Sequence, residues 1–216
     1  MNISQINQPS ALQSVTPASQ PAPAAKPAKT VIEAAQADSL NVGERFLHGS
    51  VQGTKAAAIP AMVAGTASLV MMDPDYAQFG LLIGPAVGLM GAGLAGAVVG
   101  GTANALGAGK ATAVTGGAMA GAATGWALSN TSTPKWRMMS AGAGAVIGGA
   151  AGYAGSGAKI EGHKMLNSAA GGVAGLMLSA SVAAVLSRGK DISGLAHLAI
   201  MATGAASFYA THQLQK

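Results

Sequence analysis

The chain has 216 residues and a formal net charge of +5, yet only 9% of its residues are charged, against about 25% in ordinary soluble domains. Its 12 Lys and Arg residues are scattered between apolar segments and only 4% of the chain is aromatic, which argues against nucleic-acid binding. No cysteine is present, so disulfides, thiolate metal sites and cysteine nucleophiles are excluded. With 50% hydrophobic residues and 32 glycines, the composition favours a membrane protein.

The first 29 residues form the predicted N-terminal tail. The segment Met1–Ala25 has no charged residue and is rich in Ser, Gln, Pro and Ala, so it cannot bury enough apolar area to fold. It also lacks the basic start and apolar run of a secretory signal peptide. Its opening, MNISQINQPS, resembles the acid-free N-termini of bacterial type III secretion substrates. The resemblance implies an export signal, and a plain disordered tail is the alternative.

Residues 30–54 are predicted to form an amphipathic helix. Thr30 and Glu33 have the spacing of a capping box, in which the two side chains bond free backbone amides at a helix start. Apolar residues such as Ile32 and Phe46 fall roughly on one side of this helix. The segment is expected to lie on a membrane surface or to dock a partner such as a secretion chaperone. A solvated helix packed on the end of the bundle is the alternative.

Residues 55–216 are predicted to be a Gly/Ala-rich transmembrane bundle. Six charge-free stretches in this region each contain enough residues to span a hydrocarbon core, for which about 17–25 are needed. They are 56–72, 76–109, 111–134, 138–158, 165–187 and 192–215. The predicted fold is therefore all-α, a polytopic membrane helix bundle of about six spans.

Glycines recur at four-residue spacing within these stretches. In a membrane such stripes let two helix backbones approach closely. They resemble the stripes of glycine-zipper membrane proteins, and the resemblance implies helix packing without specifying an activity. The predicted packing positions are Gly84, Gly88, Gly96, Gly100, Gly117, Gly121, Gly125, Gly144, Gly148, Gly152, Gly171 and Gly175.

An internal repeat adds a prediction about topology. The sequence AGAVVGG at 95–101 recurs as AGAVIGG at 143–149. If the repeat reflects duplication, spans two and three form one hairpin and spans four and five form its copy. The alternative is that a Gly/Ala-rich composition produces such matches by itself.

The distribution of Lys and Arg predicts orientation. With a cytoplasmic N-terminus, the cytoplasmic side carries six basic residues and the other side four, which weakly favours this orientation. The six are Arg45, Lys55, Lys110, Lys159, Lys164 and Lys216.

No residue set predicts catalysis, a cofactor site or a metal site. His197 lies just inside the last predicted span, where an ionisable group is a functional candidate, although a histidine bonded to a neighbouring helix is the simpler interpretation. Ser156 and Lys159 have the spacing of a serine–lysine nucleophile but lack its companion motifs.

We therefore expect a protein that is not an enzyme and whose main partner is the lipid bilayer, with a secretion chaperone or a homo-oligomer as further partners. The favoured function is an exported bacterial protein that inserts into a host or target-cell membrane, as an effector or a pore-forming component. The alternative is a resident bacterial envelope protein with a structural or transport role.

Overall fold

A computed structural model describes residues 31–72, 77–129, 133–187 and 193–216. The regular secondary structure in these ranges is entirely helical, which confirms the prediction of an all-α protein for the described residues. The predicted tail, residues 1–29, and Thr30 of the predicted capping box lie outside the described residues.

Six long helices make up the described chain: α1 (Val31–Met72), α2 (Ala77–Ala105), α3 (Lys110–Leu128), α4 (Pro134–Gly155), α5 (Lys164–Ser187) and α6 (Gly194–Gln213). Three of them are long and apolar enough to cross a membrane: α1 over Asn41–Met71, α2 and α5. These three helices suggest membrane association. The larger number of about six spans stays a prediction.

Helix α1 continues through the boundary that the sequence suggested between a surface helix and the first span. It is a single helix of 42 residues, and Gly49 and Gly53 in its middle are buried. The middle of α1 therefore belongs to the packed interior of the bundle.

Neighbouring helices pair as three antiparallel hairpins, α1 with α2, α3 with α4, and α5 with α6. The hairpins inferred from the internal repeat are therefore wrong, because α2 packs extensively on α1 and only slightly on α3. The α3–α4 hairpin reaches α1 mainly through α4, and the α5–α6 hairpin contacts α1 and α2 mainly through α5. The α1–α2 pair is the common support of the other two hairpins.

Helix α2 carries a spacing that an ideal α-helix cannot keep on one face. Small buried residues recur every fourth position, at Gly80, Gly84, Gly88, Ala92, Gly96 and Gly100. At 3.6 residues per turn, each step of four rotates the stripe by about 40°, so it would turn away from α1. Over Gly96–Gly101 the helix is π-helical. The wider π turn keeps the last part of the stripe against α1.

Candidate membrane-facing surface and polar junction

The glycines of the α2 stripe lie directly against the backbone of α1. A methyl group at any of them would overlap an α1 backbone atom: Gly84 would meet Thr66, Gly88 would meet Ala61, Gly96 would meet Thr54 and Gly100 would meet Gly49. The sequence interpretation missed the matching stripe in α1, which also has four-residue spacing: Gly49, Gly53, Ala57, Ala61 and Gly65. The four-residue spacing of these small residues could have revealed the stripe in the sequence.

The stripes of α3 and α4 face each other. A Cβ on most of them would overlap a backbone carbonyl oxygen of the partner helix. The close pairs are Gly117 with Gly148, Gly121 with Gly144, Gly125 with Ser140, and Gly152 with Ala113. Such approaches place Cα–H groups next to carbonyl oxygens, a weakly favourable contact at helix interfaces.

The α5–α6 pair is packed differently. A Cβ at Gly171 would meet the Thr211 side chain, and one at Gly175 would meet the Ser207 side chain. Side-chain atoms can move aside more readily than a backbone. All twelve predicted packing glycines thus lie at contacts between helices, and their function in a bilayer stays a prediction.

Small side chains are buried in this protein and large apolar side chains are exposed, which is the inverse of the usual distribution. In the described chain the buried hydrophobic residues are alanines apart from Val51, and the largest fully buried side chains also include Asn167 and Thr211. Large apolar side chains lie outside: Leu82 is 78% exposed and Leu186 is 76% exposed. Large exposed apolar patches are rare on soluble monomers.

A polar junction joins α1, the α4–α5 connection, α5 and the end of α6. We define it by Lys55, Glu161, Asn167 and Gln215. The Lys55 ammonium donates to Asn167 Oδ1 at 3.0 Å and to the Glu161 carbonyl oxygen at 3.3 Å. The Asn167 amide donates to Gln215 Oε1 at 2.8 Å and to the Glu161 carbonyl oxygen at 3.2 Å. Asn167 is fully buried, so these bonds satisfy an amide that would otherwise be costly to bury.

Two further side chains tie connections to helices near this junction. The Asn104 amide, at the end of α2, donates to the carbonyl oxygens of Arg45 at 2.6 Å and Ala158 at 3.1 Å. The Gln52 amide of α1 donates to the Lys159 carbonyl oxygen at 2.9 Å.

These bonds bring one predicted set of basic residues to the same end of the bundle. Arg45 and Lys55 lie on the part of α1 that the junction holds, and Lys159 lies in the connection bonded to it. Lys110 begins α3 and stacks on Tyr153 of α4, with its ammonium 4.9 Å from the ring centroid. The structure therefore places Arg45, Lys55, Lys110 and Lys159 at one end of the bundle, as the orientation predicted from the Lys and Arg distribution does.

The candidate chemical residues are not brought together. The imidazole of His197 is exposed and its Nδ1 lies 3.1 Å from the Ser193 carbonyl oxygen, within its own helix. The Ser156 hydroxyl donates to the Ala108 carbonyl oxygen. Over the described ranges, no three His, Asp or Glu side chains are grouped to hold a metal ion. The arrangement can join helices and present apolar surface, and the prediction that the protein is not an enzyme stays a prediction.

The sequence interpretation also missed Asn167 and Gln215. Asn167 could have been found as an amide inside an otherwise apolar helix, because such a side chain needs a hydrogen-bond partner when buried. Comparison with known proteins adds no family here, since no family model, curated protein or solved structure matches the chain.

Proposed function

We propose that this chain is an exported bacterial protein that inserts into a target membrane, as an effector or as a component of a pore. The inverted distribution of side-chain size carries the membrane part of the proposal. In water, an exterior of large apolar side chains would drive aggregation. In hydrocarbon the same exterior is favourable, and an interior of glycine and alanine gives helices the close approach through which they associate in lipid.

Export is supported by the sequence of the tail and by the modest apolarity of several helices. Helices α3, α4 and α6 do not reach the apolar composition of the other three. Segments of low apolarity are poorly recognised for insertion during synthesis, which would keep the chain available for export. A secretion chaperone that binds residues 30–54 before insertion would serve the same purpose.

We further propose that all six helices span the target membrane. The three weaker helices would enter as members of packed hairpins, where partner helices satisfy their polar groups. Because the chain has no native cysteine, two single-cysteine variants test this directly. Gly109→Cys lies before α3 and Lys135→Cys lies at the start of α4. A membrane-impermeant thiol reagent should label only one of the two in sealed vesicles. Equal labelling of both would contradict a spanning α3.

A resident envelope protein is the second candidate, and the basic residues at the junction end favour it. Lys and Arg excess in the loops of one side is how resident membrane proteins are oriented during synthesis. In that case the N-terminal tail is a linker.

Fractionation of the producing bacterium separates the two candidates. Export predicts chain in the medium under secretion-inducing conditions, and loss of that fraction when Met1–Ala25 is deleted. The same residues fused to a soluble reporter should send it through a type III apparatus. Purified chain without the tail should still float with liposomes. Recovery only from the producer's inner membrane would favour the resident protein, and failure to float would contradict both.

A further inference from the structure

A groove of about 420 Å³ lies between α5 and α6 where they meet α1. Small residues of the two hairpin helices line much of it, including Ala174, Ala183 and Ala199, and α1 contributes Phe46 and Leu47. The groove exists because these small side chains leave space that larger ones would fill.

The lining selects an apolar occupant. None of the described residues that line it carries a charged or ionisable side chain. Its hydroxyl groups on Ser50, Ser179 and Thr203 donate to carbonyl oxygens of their own helices at 2.8–2.9 Å. A polar ligand would lose its hydrogen bonds to water without full replacement, which is unfavourable.

The dimensions suit one extended hydrocarbon chain. Along α5 the lining runs from Gly171 to Leu186, which at 1.5 Å per residue is about 22 Å. The groove is therefore long compared with its width, and it is open on its outer side. Apolar carbon atoms pack about 4 Å apart, so a single file of methylene groups fits. A further α-helix, at least about 10 Å across, would occupy about four times the volume of the groove over the same length, so the groove could not enclose it.

The groove is also continuous with the outer apolar surface. Leu186 and Val182 line it, and they are 76% and 51% exposed. A hydrocarbon chain could therefore enter sideways from the core of a bilayer, which is about 30 Å thick and so deeper than the groove is long.

We propose that this groove holds one acyl chain of a membrane phospholipid between α5, α6 and α1. The inference rests on the proposed function, because a bilayer must supply the lipid. The bound chain would fill the space between the α5–α6 hairpin and α1, and so steady a hairpin that otherwise contacts the bundle mainly through α5.

Native mass spectrometry of the full chain tests the proposal. The chain is reconstituted into phosphatidylcholine–phosphatidylglycerol liposomes and extracted in mild detergent. Tryptophan fills the groove in Ala183→Trp on α5 and in Ala199→Trp on α6. The matched controls are Ala184→Trp and Ala205→Trp, which place the same ring on exposed positions of the same helices outside the groove.

We expect one retained phospholipid per chain in the wild type and in both controls, and at least tenfold less in both groove variants. Two results for lipid would overturn the proposal: no lipid on the wild type, or equal lipid on groove and control variants. It would also be overturned if the wild type were a dimer and the groove variants were monomers, because the occupant would then be a second copy of the chain. If circular dichroism shows that one groove variant has lost its helices, the variant on the other helix decides. Liposome flotation, measured separately, tests membrane insertion. A chain that floats but retains no lipid would overturn the proposed lipid site and leave the proposed membrane insertion intact.

Discussion

Residues 95–101 and 143–149 have nearly the same sequence, yet the structure gives them different backbones. The first copy, AGAVVGG, contains the π-helical turn of α2, and the second, AGAVIGG, lies in the regular part of α4. Their sequences differ only at Val99 and Ile147. Local propensity therefore cannot explain the difference in backbone.

The sixth residue of each copy is a glycine, and the two glycines differ in the helices whose backbones lie closest to them. Gly100 in the first copy contacts the backbone of Gly49 in α1 and of Gly155 in α4. Around its counterpart Gly148 the nearest atoms are backbone atoms of Gly117 and Gly121, both in α3. We conclude that close backbone contact on two sides of Gly100, together with the long four-residue spacing of α2, selects the π turn.

The largest expected effect comes from filling the crossing of three helices. Gly100→Leu should lower the free energy of unfolding in mixed micelles by about 4 kcal/mol or more, the range of severe core defects, because neither α1 nor α4 can move away without losing the other. SDS titration followed by circular dichroism measures it. A loss no greater than that of Gly148→Leu would contradict the two-sided account.

Filling the interface between the second copy and α3 should cost less. Gly148→Leu and Gly121→Leu should each lower the free energy of unfolding by about 1–3 kcal/mol, as overpacking does, because only the α3–α4 pair must separate.

A disulfide reports that separation. A Cβ at Gly149 would lie 3.7 Å from the Ala118 Cβ, close to the disulfide mean of about 3.8 Å. The Ala118→Cys, Gly149→Cys pair should therefore oxidise readily, and adding Gly148→Leu should slow the oxidation. Unchanged oxidation would show that the helices tolerate the leucine.

Exchanging the one difference between the copies sharpens the comparison. The double variant Val99→Ile, Ile147→Val keeps the total volume, and both side chains pack against the same alanine cluster. We expect a loss below about 1.5 kcal/mol, typical of such swaps. The same SDS titration applies, and a loss as large as that of Gly100→Leu would show that the side chain at this position, and not the partner helices, sets the backbone.

The smallest effect is expected on the exposed side of each copy. Val98 and Val146 are 47% and 61% exposed, so Val98→Leu and Val146→Leu should each change the free energy of unfolding by no more than about 0.5 kcal/mol. A large loss at either position would place an unrecognised contact there.

Helix positions could be predicted from the sequence because charged and turn-forming residues interrupt the apolar stretches at each connection. Helix partners could not be predicted, because a glycine stripe can pack on any helix face of matching small residues. The face that α2 packs on belongs to α1, where the more polar N-terminal part of the helix obscured the stripe in the sequence. The polar junction was equally out of reach. Lys55 and Asn167 are 112 positions apart, and their meeting depends on the whole bundle.

The matched stripes of α1 and α2 also leave the register of that pair undetermined. Small residues follow one another every four positions on both helices, from Gly49 to Gly65 and from Gly80 to Gly100. Sliding one helix by four residues, about 6 Å, would pair Gly49 with Gly96 and still set small residue against small residue. The Asn104 amide, which binds the Arg45 carbonyl oxygen, breaks this degeneracy. The hydrogen bond of this one side chain thus fixes the register that the two stripes alone leave open.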